Sequence, residues 1–386
     1  MSDEIINQLA SNTFTGNVND LVITSSECGH IEVVKLLLKD SRVDPGAGNN
    51  YAIMLASEYG HVEVVKILLT DSRVDPGDDN NYAIRWASRN GHTEVVKLLL
   101  KDSRVDPGAG NNSAIRWASE CGHFEVVKLL LKDSRVDPGA DNNFAIGWAS
   151  ANGHVEVVKI LLKDSRVNPG ASNNYATRLA SEYGHVEVVK LLLTDSRVNP
   201  GADYNYAIIL ASEYGHVEVM KLLLKDSRVD PGAGNNYAII LASYFGHTKV
   251  VKLLLADSRV GPTAAGNYAI RLASENGRVE VVKILLADSR VDPSADNNYA
   301  IRSASEYGHI EVVKILLESL KHRFSVVNYI EILIEAPKKT RKEILPEIKE
   351  LLISHIMKYQ WIMNNLLIQH LTIDLLSQIN HFIAAN

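Results

Sequence analysis

The sequence predicts an all-α solenoid of about ten helix-turn-helix units with a helical C-terminal cap. Three observations carry that prediction. A Gly-His pair recurs every 31 residues, from Gly29-His30 through Gly184-His185 to Gly308-His309, with Gly277-Arg278 the one exchange. Each period holds a helix-forming stretch on either side of this pair. Nine of the eleven prolines occupy one slot, from Pro45 to Pro293, and close the period. A fixed period of this size marks a solenoid, whose units bury their apolar faces only against neighbours.

Composition narrows the function classes. The net charge of −6 gives no basic footprint for nucleic acid. Residues 318–386 hold seven acids and eight bases, which leaves residues 1–317 at −7. The two cysteines, Cys28 and Cys121, fall in one slot three repeats apart, so they are not expected to bridge, and a reducing compartment is favoured. The opening MSDEIINQLASNTF lacks an apolar run and is not expected to be a signal peptide. No uninterrupted apolar stretch approaches the roughly 18 residues of a membrane span. The chain is therefore expected in the cytoplasm, as a monomer, away from membranes.

Three segments follow. Residues 1–17 form an N-terminal flank, 18–318 the repeat array and 319–386 a helical C-terminal region. The first unit diverges: Asp20, Thr24 and Ser25 replace the usual Tyr, Leu and Ala, as suits a cap with a polar outer face. Each later unit opens on an Asn, such as Asn50 or Asn174, expected to N-cap a first helix of about nine residues, such as 175–183. Gly184 stops that helix by taking a left-handed conformation. A second helix starts near His185, with Glu187 in its first turn and Val188, Val189, Leu191, Leu192 and Leu193 supplying its apolar face. Helices this short are not stable alone, so stacking must hold them. Asn199-Pro-Gly-Ala then reads as a turn with Pro and Gly in the central places. Beyond Glu318 the period stops. The last second helix is expected to run on toward Arg323, and VNYIEILIEA (326–335) to form a further helix ended by Pro337. Thr340 and Glu343 have capping-box spacing, and 344–357 and 361–383 read as helices that shield the last repeat.

These residues resemble the ankyrin repeat. The second-half signature, Gly-His-x-Glu-Val-Val-x-Leu-Leu-Leu, is matched by residues 184–193 and their equivalents over 20–317. The first half departs, with Tyr-Ala-Ile or Tyr-Ala-Thr where the family has Thr-Pro-Leu, and the period of 31 is two residues short. The DSRVDPGADNN loops resemble those of the large ankyrin families of giant DNA viruses of amoebae. The resemblance implies a non-catalytic scaffold that grips partner proteins through the concave face lined by its first helices, and a His that braces the turn through backbone hydrogen bonds.

No catalytic or cofactor motif stands apart from the repeat. Neighbouring histidines are about 10 Å apart in such a stack, too far to share a metal ion. Asp71-Ser72-Arg73 and its equivalents read as loop chemistry. No cofactor and no metal are expected. Trp86, Trp117 and Trp148 share the slot of Leu55, Leu179 and Leu210 and read as core. The informative positions are those that vary before Gly-His: Glu58-Tyr59, Arg89-Asn90, Glu182-Tyr183, Glu213-Tyr214, Tyr244-Phe245 and Glu306-Tyr307. They are the expected partner-binding residues, with the Arg slot (Arg85, Arg116, Arg178, Arg271, Arg302) at their edge. Leu345, Pro346, Glu347 and Ile348 weakly resemble the start of an F-box-like segment, which would make the chain a ubiquitin-ligase adaptor; a purely structural spacer is the remaining alternative.

Overall fold

The computed structural model describes residues 3–11 and 13–363; these hold 23 helices and no strand. Residues 364–383 of the 361–383 stretch lie outside the described residues. The chain divides into two compact units, Met1–Ala211 with Lys221–Val229, and Ser212–Met220 with Asp230–Asn386. In the first unit, first helices such as Asp78–Arg89, Ala109–Glu120 and Ala140–Ala151 stack on one another, and second helices such as Thr93–Leu99 and Phe124–Leu130 form a parallel stack. The second unit repeats this arrangement with Ala233–Phe245, Ala264–Glu275 and Ala295–Glu306.

The apolar pattern explains the stacking. Ala83, Ile84 and Ala87 on a first helix, and Val95, Val96 and Leu99 on the second, are all buried, and Val105 of the loop joins them. Short Ala side chains let first helices approach closely. Lys97 stays out and pairs with Glu94.

The Asn expected to N-cap the first helix does something else. The residues before each later first helix form a run of three in left-handed conformation, for example Asp79, Asn80 and Asn81 with φ of 46°, 55° and 61°. Asn, Asp and Gly are the residues that tolerate this region. The helix proper starts after the run. The Asn side chain reaches 25 residues forward: Asn81 Oδ1 accepts from the backbone N–H of Asp106 at 2.6 Å, and Asn50 from that of Asp75 at 2.6 Å. It is a strut between loops, not a cap. In the first unit the helix Val18–Glu27 is N-capped by Asn17, whose side chain accepts from the N–H groups of Asn19 and Asp20.

The Pro-Gly turn forms as expected, with the N–H of Ala202 donating to the carbonyl of Asn199 at 3.0 Å. The Asp-Ser-Arg loop is a clamp. Arg73 pairs with Asp71 through Nε (3.0 Å) and Nη2 (2.7 Å) while its Nη1 donates to Val43 O of the preceding loop at 2.7 Å. The hydrogen-bonded guanidinium holds the Asp71 carboxyl below the ordinary carboxylate range.

At the N-terminal end, Asp20 and Thr24 are exposed as a cap requires, but Ser25 is buried. Cover comes from the flank, where Ile6, Leu9 and Phe14 pack on Val18, Val22, Val33, Leu37 and Val43. At the other end the last second helix spans Ile310–Leu320, and Val326–Glu335 follows it, N-capped by a Ser325–Asn328 capping box. Lys338–Met363 starts directly after Pro337, so Thr340 and Glu343 lie inside it and form no capping box. Pro346 is also internal, not in the first turn. These two helices pack on the first and second helices of the last repeat, as a further repeat would. No helix among the described residues is long and apolar enough to cross a membrane.

Candidate protein-binding surface

Each first helix has two faces. Its Ala, Ile, Ala and Ser positions are buried, while positions one, four, five, eight and nine, counted from the Tyr slot, lie on one stripe by helical spacing. In the repeat that opens at Asn81 the stripe holds Tyr82, Arg85, Trp86, Arg89 and Asn90. In the others it holds the residues that vary most.

The aromatic residues before Gly-His are turned outward. Tyr59, Tyr183, Tyr214 and Tyr307 are about half exposed, at 51%, 54%, 51% and 59%. Tyr244 and Phe245 are exposed and meet edge to face, with centroids 4.8 Å apart. The rings of Tyr59, Tyr183, Tyr214 and Phe245 each lie 6.2–6.4 Å from the His ring two residues on. That His is itself fixed. Its Nε2 bonds a carbonyl 34 residues back (His61 to Glu27 O at 2.7 Å, His123 to Arg89 O at 2.8 Å). Its ring lies against the Gly of the preceding repeat, so closely that a Cβ on Gly91 would stand 2.5 Å from His123 Nδ1. Where His is replaced, Arg278 takes over both contacts: its Nε donates to Tyr244 O at 2.9 Å and its side chain lies against Gly246.

The partners of the remaining positions are mixed. Glu58 accepts from the Tyr82 hydroxyl of the next repeat at 2.7 Å, and burial together with that bond pushes the phenol well above its ordinary range. The Asn90 amide, though exposed, donates to Glu58 O at 2.9 Å and so braces the stack. Glu182 and Glu213 are half-buried, and Glu306 is exposed. The Arg slot is layered between aromatic rings. Arg178 lies 5.7 Å from the Tyr175 centroid and 5.5 Å from that of Tyr206, and it pairs with Asp203 at 2.5 Å. Arg271 lies between Tyr268 and Tyr299 and pairs with Asp296 at 2.7 Å. Arg302 pairs with Glu335 of the C-terminal helices.

One reading changes here. The Trp slot is not simple core. Leu55, Leu179 and Leu210 are buried in it, but Trp86, Trp117 and Trp148 are only half-buried and form part of the stripe. Part of the Tyr slot is exposed as well: Tyr51, Tyr206 and Tyr237 show 45%, 41% and 45% of their surface, whereas Tyr82, Tyr175 and Tyr299 are half-buried. Its spacing of seven and eight residues from the expected pair was the available signal.

The F-box-like segment is engaged elsewhere. Ile348 is wholly buried, and Glu347 pairs with Lys314 of the last repeat at 2.6 Å. Leu345 is half-buried and Pro346 exposed.

The chain matches the family described as ankyrin repeats (3 copies) in overlapping stretches, at residues 2–80, 21–111, 53–142, 86–174, 115–206, 178–264 and 239–328. It belongs to the ankyrin-repeat family. No curated protein matches it. In these ankyrin repeats the recurring Gly, His, Asn, Asp and Arg residues are engaged in binding one repeat to the next.

Proposed function

We propose that this ankyrin-repeat chain is a non-catalytic scaffold that binds partner proteins through the stripe of its first helices. One observation carries the reading: exposed Tyr and Phe rings, braced on fixed His rings, occupy the positions at which otherwise near-identical repeats differ. Aromatic residues held rigid at a surface are favourable contact residues, because they bury much area with little loss of side-chain freedom. In the first unit the surface centres on Tyr59, Arg89, Asn90 and Tyr183, and in the second on Tyr214, Tyr244, Phe245 and Tyr307. The acidity of the array speaks against nucleic acid as the partner. The exposed thiols Cys28 and Cys121 fit a reducing compartment. The engagement of Ile348 and Glu347 with the last repeat favours a capping role for residues 345–348 over ligase recruitment.

Photo-crosslinking tests the reading. p-Benzoylphenylalanine placed at Tyr59 or Tyr183 is expected to trap partner proteins in the native cell. The same residue at Lys66 or Lys190, on second helices, is expected to trap few. Stronger crosslinking from the lysine positions would overturn the assignment.

A further inference from the structure

The repeat that opens at Asn81 differs from its neighbours in charge. In other repeats the stripe guanidinium is answered from within, by an acid 25 residues on in the left-handed run: Arg116 by Asp141, Arg178 by Asp203 and Arg271 by Asp296. For Arg85 that position is Gly110, which has no side chain to answer it. A Cβ on Gly110 would stand 2.9 Å from Ser113 Oγ and 3.5 Å from Arg85 Cδ, so an Asp there would reach Arg85 once the Ser113 hydroxyl turns away. The Nη1 of Arg85 donates to Asn80 O at 3.3 Å; its Nε is buried without a partner, as are those of Arg116, Arg178 and Arg271. Four positions further on, Arg89 stands where the adjoining repeats have Glu58 and Glu120. Its guanidinium lies 4.7 Å from the Trp86 ring centroid and 5.7 Å from that of Trp117, and Arg85 lies 5.4 Å from Trp117. Acids in the vicinity include Glu120, which like Arg89 acts on Cys121, and Glu58 and Asp79, which act on Tyr82. Neither Arg85 nor Arg89 forms an ion pair with them among the described residues.

We propose that Arg85 and Arg89, mounted against Trp86 and Trp117, take up the carboxylates of an acidic protein segment. This rests on the reading of the stripe as a protein-binding surface and names the partner chemistry for one part of it. Two guanidiniums stacked on indole faces lose little freedom on binding, and their planar forks match a carboxylate with paired hydrogen bonds.

The test titrates the full chain with blocked hexaglutamate, followed by tryptophan fluorescence and calorimetry, beside hexaglutamine, hexalysine and a thymidine dodecamer. Saturable hexaglutamate binding that weakens with salt is expected. Arg85→Gln and Arg89→Gln should each weaken it about fivefold or more. Gly110→Asp should weaken it too, by giving Arg85 an internal acid, whereas Lys283→Gln on a second helix should not. Equal affinity in the double Gln variant, or tighter binding of hexaglutamine or the dodecamer, would overturn the proposal. So would self-association of the chain that disappears in the double variant, since the occupant would then be a second copy. If hexaglutamate fails while crosslinking from Tyr59 and Tyr183 persists, only this inference falls; if both fail, the underlying reading falls with it.

Discussion

Gly91→Ala is expected to destabilise its repeat by about 3 kcal/mol, although the residue added is only a methyl group. Two effects combine. Gly91 sits at φ of 78°, where an L-residue with a Cβ is strained by about 1–2 kcal/mol. The new Cβ would also stand 2.5 Å from His123 Nδ1, and that ring cannot retreat freely because its Nε2 bonds Arg89 O at 2.8 Å. Overpacking of this kind typically costs a further 1–3 kcal/mol. His123→Ala alone removes the hydrogen bond and some packing, at about 1–2 kcal/mol. In the double variant the steric conflict is gone, while the backbone strain remains. Urea unfolding of the four proteins should therefore give a double-variant cost below the sum of the singles by about 1 kcal/mol. Strict additivity would show that the Gly-His contact between repeats is not a coupled pair.

Ile348→Asp has the next largest expected effect. Ile348 is wholly buried where the long C-terminal helix covers the last repeat, alongside Ile344 and Leu352. A carboxylate there has no partner, and burying it costs about 4 kcal/mol or more. A solenoid transmits stability between nearest neighbours, so the loss should be local. Hydrogen exchange should quicken across Ile310–Leu320 and Ala295–Glu306 and stay unchanged across Val155–Leu162. Pro346→Ala, on the exposed side of the same helix, should not weaken the cap, because a proline inside a helix removes a backbone donor. Uniform quickening along the chain would contradict a local capping role for this helix.

Much of this architecture is legible in the sequence because its signals are local and repeated. The 31-residue period, the two helices, the Asn-Pro-Gly-Ala turn and the helix at Val326–Glu335 each follow from residues adjacent in the chain. The Asn before each first helix was misread for the opposite reason. A short amide ahead of a helix is locally an N-cap, yet Asn81 bonds Asp106, and no local rule carries a side chain 25 residues forward. The left-handed run of Asp79, Asn80 and Asn81 moves the helix start and frees that side chain. Thr340 had the spacing of a cap, but Pro337 already opens a helix there, and Thr340 is buried instead, beside Gly308, where the His of a further repeat would lie. On the candidate surface, the variable pair before Gly-His pointed to the exposed residues. The Tyr, Arg and Trp slots were harder to read, since their exposure depends on how closely the next repeat packs over each one.

The division between scaffold and surface is most directly tested by replacing Tyr59, Tyr183, Tyr214 and Tyr307 with Ala together and measuring partner recovery beside thermal unfolding. These four rings are exposed and bury little of the stack. The account predicts unchanged helicity, a Tm within about 2 °C of the parent and loss of the co-purifying proteins. Undiminished recovery with the four rings removed would contradict it.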